Sequence, residues 1–258
     1  MLKYNMEAFL RDAVDKYLVL APSAKLRFVA TPHMEDLDPT DTTTAAGVLG
    51  GGSTSKSSAP SKEPTGELKN VAASILMKLL YAARMCRYDL LQPIGRLACM
   101  ITRWDTHCDR MLHRLMCYVQ STFHLRKVGW VGESAATIGV RLYADADFAG
   151  CKRSGRSTSG GFLCMGGIDA FFPLQAVSRK QTCVSHGTPE AELVAADMAL
   201  RAIGIDCLSL WNTLPGRSAL RLLHEDNAAM IQVCRTGRNP TMRLMRWLRE
   251  IFQEPCME

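Results

Sequence analysis

With 258 residues, 47% of them hydrophobic, the chain has enough apolar material for one or two buried cores. Its net charge of +6 and pI of about 8.8 permit an anionic partner without demanding one. No apolar run approaches the length that crosses a bilayer, Lys3, Glu7 and Arg11 rule out a signal peptide, and ten cysteines without any Cys-x-x-Cys pair exclude zinc-knuckle spacing; all three point to an intracellular protein whose thiols are small buried hydrophobes.

Residues 1–37 form an N-terminal fragment, helical over 1–20, with a short extended segment from Lys25 to Pro32. Residues 38–66 are dominated by Thr, Ser, Gly, Pro and Ala, include Gly50-Gly51-Gly52-Ser53 and contain no aromatic residue, the composition of a flexible linker. Residues 67–132 return to helical periodicity over Val71–Met85, Leu90–Ile101 and Asp109–Thr122. Between Arg84 and Lys127, eight Arg/Lys stand against three Asp/Glu, which suits either a polyphosphate backbone or plain solvent. His107, Cys108, His113 and Cys117 carry metal-ligand side chains, but on different faces of one helix, so no zinc is expected there.

The region 133–258 carries the chemistry. Ile138, Val140 and Leu142 alternate with Thr137, Gly139 and Arg141, the period of a half-buried strand, which places Asp145 near the strand's end. A glycine-punctuated strand pair follows. Thr188-Pro189 reads as a helix start, Thr as N-cap and Pro at the first helical position. Along that helix Ala195, Ala196, Ala199, Leu200 and Ile203 share one face, and Glu192 falls on the same stripe. A carboxylate on a packed face must be hydrogen-bonded, paired or bound to a cation, unless it reaches water at the margin. Residues 219–225 read as a strand ending at Asp226, ahead of a short helix from Ala228, so Asp226 is either that helix's N-cap or a ligand. Three carboxylates on a strand end, a buried helix face and a second strand end, 47 and then 34 residues apart, are together the donor set of a hard divalent cation.

The stretch Tyr143-Ala-Asp-Ala-Asp-Phe-Ala-Gly150, Arg156-Ser-Thr-Ser-Gly-Gly161 with Gly166-Gly167, Ser178-Arg-Lys-Gln181, Thr188-Pro-Glu-Ala-Glu-Leu-Val-Ala195 and Glu225-Asp-Asn-Ala-Ala229 resembles, in that order, the ribonuclease H domain of the copia-type LTR retrotransposon Pol polyprotein. More loosely, Tyr81–Asp89 and Leu112–Thr122 resemble the thumb and connection helices that join reverse transcriptase to ribonuclease H. The resemblance implies an α/β fold, a mixed five-stranded sheet flanked by helices and preceded by a helical region. It makes Asp145, Glu192 and Asp226 catalytic ligands of two Mg²⁺ or Mn²⁺ ions, and an RNA–DNA hybrid the substrate. Asp147 is then either a turn residue or one that supports the ligands from behind. Lys152, Arg153, Arg156, Ser157, Arg179 and Lys180 would contact phosphates or sugar hydroxyls, with Asn227 assisting Asp226.

Such enzymes usually carry a fourth acidic residue and a nearby His beyond the segment matching Arg238-Asn239-Pro240-Thr241. Here no Asp follows Asp226, no His follows His224, and Glu250 on an amphipathic helix is the remaining candidate. The resemblance therefore leaves two functions, a hybrid-cleaving endonuclease or a catalytically impaired nucleic-acid-binding remnant, with recruitment as a protein-interaction module a remoter third. No polymerase motif is present, and the chain reads as the tail of a polyprotein whose remaining parts are its natural partner.

Overall fold

The structure, a computed structural model, describes residues 1–34, 64–134, 136–152, 154–213 and 221–236. Its contacts divide into two compact units. One comprises Met1–Met6, Ala83–Gly95 and Leu125–Glu258; the other comprises Glu7–Ala82 and Arg96–His124.

The first unit is α/β. Strands β1 (Leu2–Tyr4), β2 (Lys127–Val131), β3 (Gly139–Cys151), β4 (Arg156–Gly166), β5 (Ala170–Lys180) and β6 (Arg221–His224) form one six-stranded sheet in the order β1-β2-β5-β4-β3-β6. All neighbours are antiparallel except β3 and β6, so the sheet is mixed. The sixth strand is the correction to the expected five. Leu2–Tyr4, read as helical from sequence, instead pairs with Lys127–Gly129, and the helix begins only at Glu7. Three residues are too few to show a period of their own; the open edge of β2 dictates their conformation.

Strand β3 shows the anticipated alternation. Val140, Leu142, Ala144 and Ala146 are buried, whereas Arg141, Tyr143, Asp145 and Asp147 are more exposed. It does not end at Asp145, however. The β4 ladder continues through Asp147↔Thr158 and, past a bulge, to Cys151↔Arg156. What ends near Asp145 is the ladder with β6, whose last pair is Tyr143↔His224.

Helix α5 (Thr188–Ala199) packs against β3 and β4 with an alanine surface. Ala191, Ala195, Ala196 and Ala199 are completely buried. A side chain at Gly161 would meet Ala199 Cβ at 3.0 Å and Val177 Cγ1 at 2.9 Å, so small residues on both surfaces permit the approach. The N-cap is Gly187 rather than Thr188, with Pro189 in the first turn and Glu190 reaching back to accept the His186 N–H at 2.8 Å. A π-helical turn over Leu200–Gly204 leads into α6 (Ile205–Thr213), and α7 (Ala228–Thr236) follows β6. The core of this unit gathers Val140, Leu142 and Leu163 from the sheet with Leu193, Ile203, Trp211 and Met230 from the helices. A row of rings crosses the sheet: Trp130, Phe171, Phe162, Tyr143 and His224, with Tyr143 and His224 stacked at 4.3 Å.

The second unit is helical, containing α1 (Glu7–Leu20), most of α2 (Ala72–Met85) and α4 (Thr106–Ser121). The short α3 (Leu91–Ala98) lies at a boundary of the division. Asp105 caps α4 by accepting the Cys108 N–H, and the Asp109 carboxylate accepts from Trp104 Nε1 and from the backbone of Glu67 and Leu68. Lys25–Pro32 is not a strand; Val29 N–H donates to Ser121 Oγ and Arg114 donates to Thr31 O. Much of the basic surplus is used internally. Arg87, 2% exposed, is paired with Asp89, Arg96 donates to Met34 O, and Lys127 lies over the Tyr4 and Tyr88 rings. His113 joins the Tyr17 hydroxyl at 2.9 Å and Cys117 Sγ at 3.5 Å, a half-buried polar chain. Residues 38–63 of the expected linker, Arg153, Arg238–Thr241 and the C-terminal helix with Glu250 lie outside the described residues. No helix among those described is long and apolar enough to cross a membrane.

Candidate metal centre

Two backbone features place the acidic groups. Because β6 stops pairing at His224, the sheet beside β3 opens at Asp145, and the chain carries Asp226 past the same opening two residues later. The carboxyl ends of adjacent parallel strands are where α/β sheets form ligand crevices. Helix α5 then lays Glu192 against this edge.

One oxygen from each of Asp145, Glu192 and Asp226 lies within 4.8 Å of the other two, and no other group of three or more acidic, His or Cys side chains among the described residues has this arrangement. The three residues expected from sequence are brought together. Glu192 is 4% exposed and accepts a hydrogen bond from the Ala146 N–H, yet its Oε2 is buried without a partner. Burial, reinforced by the negative charges of Glu225 and Asp145 and to a smaller extent Asp226, pushes its carboxyl up to about 7. An orphaned buried oxygen among like charges is what a carboxylate looks like when built for a cation, so this donor set fits a hard divalent metal.

The positive groups are distributed less uniformly. Lys152, Arg156 and Arg179 are exposed around the β3–β4 hairpin and the end of β5. Lys180 is half-buried and donates to Cys151 Sγ at 2.8 Å. Burial pushes the Cys151 thiol up, but hydrogen bonds from Lys180 and Ser154 outweigh it and bring the thiol down to about 7. Ser157 is fully buried; its hydroxyl accepts the N–H of Ala149, whose φ is 54°, and so supports the bulge rather than facing solvent. Asp147 packs over Gly150 in the same bulge, the position of a turn residue. Asn227 caps α7, its Oδ1 accepting the Met230 N–H at 2.9 Å, which fixes the turn after Asp226.

Two residues had no assigned role in the sequence reading. Gln181, 5% exposed, donates to Ser159 Oγ and Ala191 O, accepts from Ser185, and so ties the β5 end to β4 and to the first turn of α5. Its signal was available only as a polar residue closing an apolar strand. Glu225 stands beside Asp226, and its negative charge is the strongest acting on Glu192. Burial, together with Asp226 and Asp145, raises its own carboxyl against the Asn227 N–H that it accepts. Period-two alternation from His224, which stacks on Tyr143, could have flagged it. Compared with known proteins, the chain matches no family model, no curated protein and no solved structure.

Proposed function

We propose that the chain is a ribonuclease H-type hydrolase derived from a copia-type Pol polyprotein, cutting the RNA strand of RNA–DNA hybrids inside the cell with two Mg²⁺ or Mn²⁺ ions. The observation that carries this reading is the convergence, within 4.8 Å, of carboxylates from three elements far apart in the chain, one of them buried with an unpartnered oxygen. The order of those elements, strand Asp, helix Glu and strand-end Asp on a mixed sheet, is the order in which the sequence resemblance places its catalytic residues.

In this reading Asp145, Glu192 and Asp226 together would hold the ions. The ions, when bound, would make a water nucleophilic and neutralise charge on the attacking and leaving oxygens of the phosphodiester. The protein's part is positional. Gln181 seats the first turn of α5 and hence Glu192, Asn227 fixes the turn that presents Asp226, and the β4 ladder holds Asp145 opposite Gly160. Lys152, Arg156 and Arg179 supply exposed positive charge for phosphates, which favours recognition of backbone shape over base sequence.

A specific sequence observation supports the second reading, a hybrid-binding remnant: Met242–Glu250, the stretch that follows Arg238-Asn239-Pro240-Thr241, carries neither Asp nor His. Incubation of a labelled RNA–DNA hybrid with Mg²⁺ or Mn²⁺ separates the two. Cleavage by the parent chain that Asp145→Asn abolishes supports the hydrolase. Hybrid retention with equal, background cleavage by both supports the remnant, and neither retention nor cleavage removes both.

A further inference from the structure

Glu225 is the residue that the three-carboxylate set does not use. Its Oε1 is held by the Asn227 N–H at 3.1 Å, which fixes the carboxylate head, while its Oε2 is buried with no partner. Leaving such an oxygen unsatisfied is costly, the more so when it is charged. Glu192 Oε2, from α5, is orphaned in the same way, and of all negative charges Glu225 acts most strongly on Glu192. Two unpartnered buried carboxylate oxygens on different segments, both beside Asp145 and Asp226, leave an excess of negative charge that no cationic side chain among the described residues is seen to balance. The Arg201 guanidinium pairs with Asp197, and Arg87 pairs with Asp89.

We propose that Glu225 is a fourth carboxylate of the cation site, acting on the Glu192 side through the ion's water shell. No oxygen of Glu225 belongs to the set lying within 4.8 Å, so direct ligation is left to the three. Mg²⁺ retains several waters, and an anchored carboxylate is a suitable acceptor for one of them. Glu225 is in this sense a positioning residue. The inference rests on the cation-binding reading of the triad.

The test is titration of the whole chain with Mn²⁺ alone at pH 8, by calorimetry or by the paramagnetic signal of free Mn²⁺, on the parent, Asp145→Asn, Glu225→Gln and Glu225→Asp. Melting curves in chelator accompany each. Loss of an outer-sphere partner typically weakens metal binding by about 10–100-fold, which is the loss expected for Glu225→Gln, with partial recovery in Glu225→Asp. In chelator, Glu225→Gln is expected to melt no lower than the parent, because it removes unbalanced charge; a merely structural glutamate would give a lower melting temperature. Mn²⁺ affinity unchanged within about twofold in Glu225→Gln, while Asp145→Asn abolishes binding, overturns this inference and leaves the triad standing. Weaker binding accompanied by a lower metal-free melting temperature also overturns it. No Mn²⁺ binding by the parent overturns both readings.

Discussion

Replacing Glu192 by Gln should make the metal-free protein more stable, with a pH dependence set by the buried carboxyl. The substitution preserves volume, and the amide oxygen still accepts the Ala146 N–H. In the folded chain the carboxyl is raised from 4.5 to about 7. At 1.36 kcal/mol per unit, keeping it ionised in the native state costs roughly 3 kcal/mol. Because the side chain is only 4% exposed, solvent screening removes little of this. The native state holds a proton that the unfolded chain has lost between pH 4.5 and about 7, so the parent's stability is greatest below that window and declines as pH rises through it. Thermal melts in chelator should therefore show Glu192→Gln above the parent by roughly 5–10 °C at pH 8, the gap closing by about pH 4. Added Mg²⁺ should raise the parent's melting temperature and leave the variant's unchanged. A variant less stable than the parent at pH 8, or a gap indifferent to pH, would refute the picture of a strained carboxylate awaiting a cation.

Gly161→Ala introduces a methyl 2.9 Å from Val177 Cγ1 and 3.0 Å from Ala199 Cβ, and overpacking of this kind should cost about 1–3 kcal/mol in denaturant unfolding. Gln181→Leu removes the amide that donates to buried Ser159 Oγ and to Ala191 O, so a loss of about 2–4 kcal/mol is expected, together with weaker Mn²⁺ binding because α5 is no longer seated; full stability would contradict the role given to Gln181. Alkylation of Cys151 by iodoacetamide should follow a pH midpoint of about 7, and Lys180→Met should move that midpoint upward; an unchanged midpoint would remove Lys180 as its cause.

Much of the candidate site was legible because its residues break local rules. Glu192 stands on an alanine face where a carboxylate needs a hydrogen bond, a counter-charge or a cation, and burial of Ala195, Ala196 and Ala199 follows directly from helical spacing. The strand leading to Asp145 announced itself by alternation over Ile138, Val140 and Leu142, all of them buried. Less legible were features set by distant partners. Leu2–Tyr4 becomes a strand only because Lys127–Gly129 offers an edge, and β3 continues past Asp145 only because β4 accompanies it. Ser157 illustrates the same limit: a hydroxyl beside basic residues reads as a phosphate contact, but its neighbour across the bulge is the Ala149 N–H, which needs an acceptor. Glu225 escaped notice because an acidic residue next to Asp226 looks like part of a polar turn until both its oxygens are found buried or bound.

Anomalous diffraction from crystals of the whole chain grown with Mn²⁺ addresses the cation site itself. A peak among the carboxylates of Asp145, Glu192 and Asp226, absent in Asp145→Asn, is the expected result. A map without density there at saturating Mn²⁺, or with its peaks confined to other carboxylates, would contradict a metal centre at this edge of the sheet.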